Sequence, residues 1–267
     1  MIYTARYSLE FDPFVKNSKD ILVETKEYKE ARFRLDFLVK TQGFGLLTGS
    51  PGSGKTTAIR HWCKTLNPSL YKVIYSSFST LTANDFYRHL VAQLGIQPTF
   101  RKSDNFRLIQ DEISKQAIEK RKIPVIIVDE ANYINNAILN DFKILFNFEM
   151  DSRDRAVVLF VGLQNLNTTL GLGIHEPLRQ RILMNYNLEN LTKEEGRSYI
   201  FEKLKCAGCN QEIFEENAIE AILNAADGIP RMINKLCHTS LLIGNSNNIN
   251  LITSDVVMQA VTDCQLG

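Results

Sequence analysis

The sequence predicts an α/β fold, a parallel sheet sandwiched by helices, followed by a small all-helical domain. Three observations carry that expectation. Continuous apolar runs alternate with amphipathic stretches as far as Leu188, the pattern of a parallel sheet covered by helices on both faces. Residues 124–128 and 156–161 contain no polar side chain, as suits strands buried on both sides. After Leu191 the strand-like runs stop and only helical periodicities remain.

The elements follow in order. Residues 27–40 set Ala31, Phe33, Leu35, Phe37, Leu38 and Val39 at positions that suit a helix. Residues 44–48 form a short apolar strand that runs into a glycine-rich loop, and a helix is expected from near Gly54 to about Leu66. Residues 71–75 read as a second strand. Residues 82–94 read as a helix with Phe86, Leu90, Val91 and Leu94 on one face. A longer helix over 104–121 turns Phe106, Ile109, Ile113, Ala117 and Ile118 inward. The strand at 124–128, a helix at 137–148, the strand at 156–161 and an edge strand at 184–188 complete the sheet. Helices are then expected over 192–206, 215–226, 230–244 and 253–262, the first opened by a Thr192-x-x-Glu195 capping box. Two domains result, 1–190 with an N-terminal extension and 191–267 as a small all-helical domain.

Composition narrows the class. A net charge of +1 neither demands nor excludes a nucleic-acid partner, because a basic stripe can be offset elsewhere. No apolar run is long enough to cross a bilayer, and the N-terminus lacks a signal-peptide core, so a cytoplasmic location without membrane contact is expected. Five cysteines without an export signal argue against structural disulfides. Cys206 and Cys209 have CxxC spacing and could hold zinc with Cys237 and His238, but no second pair exists. A helix end at Gly208 is the simpler reading.

The chemistry starts at Gly49-Ser50-Pro51-Gly52-Ser53-Gly54-Lys55-Thr56, which fits G-x-x-x-x-G-K-[ST] and continues into Thr57. Glycines let successive backbone N–H groups point at phosphate oxygens, and the following helix adds its positive end. Lys55 reaches the terminal phosphates of ATP, and Thr56 offers a hydroxyl to Mg²⁺. The apolar strand at 124–128 ends in Asp129-Glu130. Asp129, at the tip of what should be the neighbouring strand, would hold Mg²⁺ through water, and Glu130 would orient or deprotonate the attacking water. Gln164, just past the strand at 156–161, could meet the γ-phosphate. Arg179 and Arg181, before the edge strand, could act as an arginine finger on a neighbouring subunit. Arg231 follows Pro230 at a helix start, where the helix dipole disfavours a cation unless an anion is near.

These elements, in this order, resemble the AAA+ ATPases. More narrowly the chain resembles their ExeA-type branch, through Phe11-Asp12-Pro13-Phe14, Leu178-Arg179-Gln180-Arg181-Ile182, Tyr199-Ile200-x-x-Lys203-Leu204 and Gly228-Ile229-Pro230-Arg231-x-Ile233-Asn234. The branch commonly has Gly-Glu-x-Gly-x-Gly-Lys-Thr, and this loop departs from it with Ser50-Pro51 after Gly49. The resemblance implies that Gln164 is sensor 1, Arg231 sensor 2, and Arg181 (or Arg179) the finger acting in trans. It also implies that the helical domain over 191–267 is the AAA+ lid and that Phe11 and Phe14 pack near the adenine. Such domains occur in secretion ATPases and in stand-alone helpers of the TnsC and TniB type. Those helpers assemble on double-stranded DNA as ATP-bound oligomers and recruit or stimulate a transposase. The helper setting is the one expected here. The alternatives are an ATPase acting on a protein partner, secretion-linked or regulatory, and a replication or repair loader. Candidate DNA contacts are Arg101, Lys102, Lys120, Arg121, Lys122 and the segment from Ser76 to Thr82, with binding independent of base sequence.

Overall fold

The computed structural model describes residues 3–77, 82–149 and 152–265. The order is α1 (Tyr3–Arg6), α2 (Lys26–Thr41), β1 (Gly43–Gly49), α3 (Lys55–Thr65), β2 (Tyr71–Ser76), α4 (Ala83–Gln93), α5 (Lys102–Ile118) and β3 (Ile123–Val128). It continues with α6 (Asn136–Leu145), β4 (Val157–Gly162), α7 (Asn165–Gly171), α8 (Glu176–Arg179) and β5 (Ile182–Leu188). The last four helices are α9 (Lys193–Cys206), α10 (Glu216–Ala226), α11 (Pro230–Ser246) and α12 (Ser254–Gln265). Short 3₁₀ turns lie at Ala131–Tyr133 and Gly173–His175.

The five strands form one parallel sheet in the order β2-β3-β4-β1-β5. Parallel neighbours need a crossover between them, and the helices supply it. The chain divides into two compact units. One gathers Glu30–Gly49 and Lys55–Leu188; the other takes the N-terminal stretch through Lys29, the loop Ser50–Gly54 and the chain from Glu189 onward.

In the α/β unit, alternate residues of the inner strands feed opposite faces, as strand geometry requires. Leu47, Val125, Ile127, Leu159 and Val161 pack with Leu35, Leu38, Ile59 and Trp62 of α2 and α3. Leu46, Ile126, Val128, Val158 and Phe160 pack with α4, α5 and α6 through Phe86, Leu90, Ile109, Ile113 and Phe142. One expectation for a helix face is corrected. Ile118 is exposed, because α5 ends there rather than continuing to Arg121, whose backbone has φ 51°. Phe33 and Phe37 lie on the outer side of α2 while Ala31, Leu35 and Leu38 face the sheet, so only one stripe of that helix is core.

The helical unit buries Leu191, Ile200, Leu204, Ile219, Ile222, Ile233, Leu236, Leu241, Val257 and the N-terminal Tyr7, Leu9 and Phe14 in one core. α9 opens with the full capping box: Thr192 Oγ accepts from Glu195 N, and the Glu195 carboxylate accepts from Thr192 N at 3.0 Å. It ends at Cys206, and Gly208 takes φ 82°, so a glycine stops the helix as the sequence suggested.

Candidate active site

β1 is fully buried between β4 and β5 and delivers Gly49; six residues later α3 begins at Lys55. In the turn between them Gly52 has φ 84° and Gly54 φ 102°, a region open to glycine at little cost. That conformation also explains why the helix expected from Gly54 starts one residue later. A Cβ added at Gly54 would meet nothing within 4 Å, so the backbone there faces open space. Ser53 N donates to Ser50 O at 3.2 Å, whereas the buried Ser53 hydroxyl has no hydrogen-bond partner among the described residues. A buried orphan hydroxyl in a glycine turn, ahead of helix N–H groups without intrahelical acceptors, suits an anion with several oxygens. Lys55 Nζ donates to Gly49 O at 3.0 Å, which holds the ammonium against the loop.

Asp129 follows β3 and is 3% exposed. Its Oδ2 accepts from Thr56 Oγ1 at 3.0 Å and from the Tyr75 hydroxyl at 2.7 Å. Its Oδ1 accepts from Glu130 N at 2.9 Å, and its own N–H donates to Ser76 O at 2.8 Å. Burial, and then the Asp129 carboxylate beside it, push the Tyr75 phenol well above its ordinary pKa, so it stays a donor. Glu130 adopts φ 54°, ψ 35°, left-handed backbone uncommon for a non-glycine residue. Its carboxylate is exposed and has no partner among the described residues.

The sheet order corrects one expectation. β3, which carries Asp129, is not the neighbour of β1, because β4 lies between them. The strand pairs of β4 with both β1 and β3 keep Thr56 and Asp129 within one hydrogen bond despite the gap. Gln164 leaves the end of β4 as the N-terminal residue of the α7 turn, exposed and without a side-chain partner among the described residues. Leu163 N, beside it, donates to Asn132 Oδ1 at 3.1 Å, which ties this turn to the one after Glu130. One helical turn on, Asn167 Nδ2 donates to Thr48 Oγ1 at 3.0 Å. Tyr75, Asn132 and Asn167 gave no sequence signal; their roles come from strand order.

Of the two candidate fingers, Arg181 is spent within the α/β unit. Its guanidinium donates to Lys143 O at 2.8 Å and Phe146 O at 3.0 Å, pairs with Asp154 at 3.2 Å and lies over the Phe44 ring. Arg179 is exposed and donates to Gly171 O at 2.9 Å. In the helical unit, Arg231 N donates to Gly52 O at 3.3 Å, and the exposed Arg231 guanidinium has no partner among the described residues. Three of the basic residues considered for DNA already have partners: Lys102 with Asp141, Lys120 with Glu112 and Lys122 with Pro68 O. Arg101 and Arg121 have no side-chain partner among the described residues. Of the segment from Ser76 to Thr82, residues 78–81 lie outside the described residues.

Phe14 is core in the helical unit, and Phe11 packs against the same cluster. Between them Asp12 is buried. Its Oδ1 accepts from Phe14 N at 2.7 Å, and its Oδ2 meets His238 Nδ1 at 2.5 Å and the Tyr3 hydroxyl. Lys203 Nζ donates to Pro13 O at 2.7 Å and lies over the Phe14 and Tyr199 rings. Burial lowers the Lys203 ammonium to about 8, opposed by Cys237 and Asp12 nearby. With His238 on Asp12, Cys237 buried and Cys206 exposed, the described residues hold no group of three or more potential ligands, and the zinc reading has no geometry behind it.

Residues 38–170 match the family described as an AAA domain. The chain is 29% identical over 246 residues to General secretion pathway protein A of Aeromonas hydrophila, covering 90% of this chain and 44% of that protein. It therefore spans less than half the length of that relative. The fold is similar to Cdc6p from Pyrobaculum aerophilum, at TM-score 0.71 and 16% identity over 90% of this chain and 67% of the other. It is equally similar to Drosophila ORC bound to DNA, at TM-score 0.71 and 18% identity over 97% of this chain and 65% of the other. The parallel five-stranded sheet with flanking helices is the P-loop fold of AAA+ ATPases. Among the described residues no helix is long and apolar enough to cross a membrane.

Proposed function

We propose that this chain, built around an AAA+ ATPase domain, is an ATP-dependent switch that assembles with its own copies on double-stranded DNA and recruits or stimulates a transposase. The observation that carries the ATPase part is the 3.0 Å hydrogen bond from Thr56 to Asp129 beside a glycine loop with an open backbone face. ATP phosphates take the loop N–H groups and Lys55. Thr56 and Asp129 would hold Mg²⁺, which neutralises phosphate charge when bound. Glu130, exposed and unpartnered among the described residues, orients the attacking water and accepts its proton. Gln164 and Arg231, both with side chains lacking partners among the described residues, meet the γ-phosphate as sensors. For the finger in trans, Arg179 is the better candidate, since Arg181 is held by two carbonyls and a carboxylate.

Assembly would follow nucleotide state. The γ-phosphate lets one copy's arginine touch its neighbour's nucleotide, and hydrolysis removes that contact. DNA as the partner is supported by the fold's likeness to an ORC that binds DNA and by the unpaired Arg101 and Arg121. A second reading, an ATPase acting on a secretion-linked protein partner, is favoured by the name of the Aeromonas relative. A replication loader is compatible with the same structural likeness.

Two measurements test the proposal. Glu130→Gln should keep ATP binding, cut turnover by about a thousandfold and prolong any assembly; normal turnover would remove Glu130 from the mechanism. A mobility shift on duplex DNA should appear with a slowly hydrolysed ATP analogue and weaken with ADP and with rising salt. No shift with either nucleotide would leave the protein-partner reading in its place.

A further inference from the structure

We propose that Tyr75 is a positioning residue for the carboxylate that holds the metal, and that its hydroxyl sets how tightly the site takes a divalent cation. The inference rests on the ATPase reading above and adds to it a residue outside the loop and the Asp129-Glu130 pair.

The geometry begins with the sheet. β2 is an edge strand paired in parallel with β3, and the register sets Tyr75 against Ile127 and Ser76 against Val128. Along β2, Ile74 and Ser76 are buried while Val73 and Tyr75 are not. Tyr75 thus lies on the same side as Ile127, the side that carries α3 and therefore Thr56. From there its hydroxyl reaches Asp129 Oδ2 at 2.7 Å, shorter than the 3.0 Å from Thr56 to the same oxygen.

An ionised carboxylate offers about four acceptor sites. Three are filled here: two on Oδ2 by Tyr75 and Thr56, one on Oδ1 by Glu130 N. The free site is on Oδ1, which leaves room for a water carried by the cation and argues against direct ligation by Asp129. Thr56 can give a lone pair to the cation while its proton stays on Asp129. Tyr75 then has one task, to fix the carboxylate plane so that the free lone pair points one way. Partners that orient a ligand in this manner typically change metal affinity by roughly ten- to a hundredfold when removed. The ring is 42% exposed, so deleting only its oxygen leaves the fold's packing intact.

The test is Tyr75→Phe, read by Mn²⁺ electron paramagnetic resonance titration with ADP present, and by binding of a fluorescent ATP analogue with and without Mg²⁺. Metal-free nucleotide affinity and the thermal midpoint should stay at wild-type values, while the metal concentration for half-saturation rises about tenfold. Equal metal affinity in Tyr75→Phe and wild type overturns the inference and leaves the ATPase reading intact. A wild-type protein whose nucleotide binding ignores metal overturns both. Tyr75→His is the second variant: its ring nitrogen can donate toward Asp129, so it should recover part of the lost affinity, and a loss as large as in Tyr75→Phe counts against a hydrogen-bond role.

Discussion

Two buried aspartates, one in each unit, are held in nearly the same way. Asp129 is met by a tyrosine hydroxyl, a second side chain and a backbone N–H; so is Asp12, through Tyr3, His238 and Phe14 N. Their surroundings differ. Asp129 stands at a strand tip whose partner Thr56 begins a helix behind an open glycine turn. Asp12 is enclosed by Phe14, by Lys203 and by the apolar core of the helical unit. The lesson is that a satisfied buried carboxylate is not by itself a site. Each carboxylate has three of its acceptor sites filled, so what distinguishes the two is the open glycine turn ahead of Thr56, on the Asp129 side alone.

The largest expected effect separates the pair directly. Asp129→Asn should cut ATP turnover by about a hundred- to a thousandfold and leave the denaturation midpoint near wild type. Asp12→Asn should leave nucleotide affinity unchanged and cost about 1 to 3 kcal/mol of stability by urea denaturation, because the Tyr3 hydroxyl and His238 lose a carboxylate partner. Stability loss at Asp129 with no loss of turnover would dissolve the distinction. Next, Lys55→Ala should weaken ATP binding by about a hundredfold, roughly 3 kcal/mol, with no change in the helical unit's stability. Retained affinity would mean that the open turn is not a phosphate cradle.

A smaller effect sharpens the enclosed side. Lys203 is lowered to about 8 from 10.5 by burial, so between those values the unfolded chain binds more protons than the folded one. The Lys203 contribution to stability should therefore rise by about 2 kcal/mol between pH 7.5 and 9.5, while the Cys63 and Cys237 thiols, raised by burial, oppose it as their unfolded forms ionise. Tyrosines whose phenols are raised by burial, such as Tyr199, oppose this only above about 10, where unfolded phenols ionise. Lys203→Met should lower the rise of stability with pH across that window by about that amount in urea titrations; an unchanged slope would assign the effect to other groups.

The phosphate loop and Asp129 were legible because their chemistry lies in contiguous residues flanked by strand and helix. Glu130's exposure, Tyr75 and Asn132 were not, because they depend on which strands adjoin. The same lack of sheet order led the sequence to set β3 beside β1, where β4 intervenes. The Asp12–His238 pair joins residues 226 positions apart, beyond any local pattern. Ile118 misled because apolar spacing continues past the last turn of α5. Arg181 was legible as a cation near an edge strand, but its carbonyl partners in and after α6 were not.

Gly52 has a consequence of a mechanical kind. Its carbonyl takes the Arg231 amide proton, and a methyl group there would sit 2.8 Å from Arg231 Cβ and 3.1 Å from Ile229 Cγ2. The crest of the turn and the start of α11 are thus joined by a backbone hydrogen bond, with the Arg231 and Ile229 side chains closed over the glycine. A shift of the crest would therefore press on the first turn of the seventeen-residue α11.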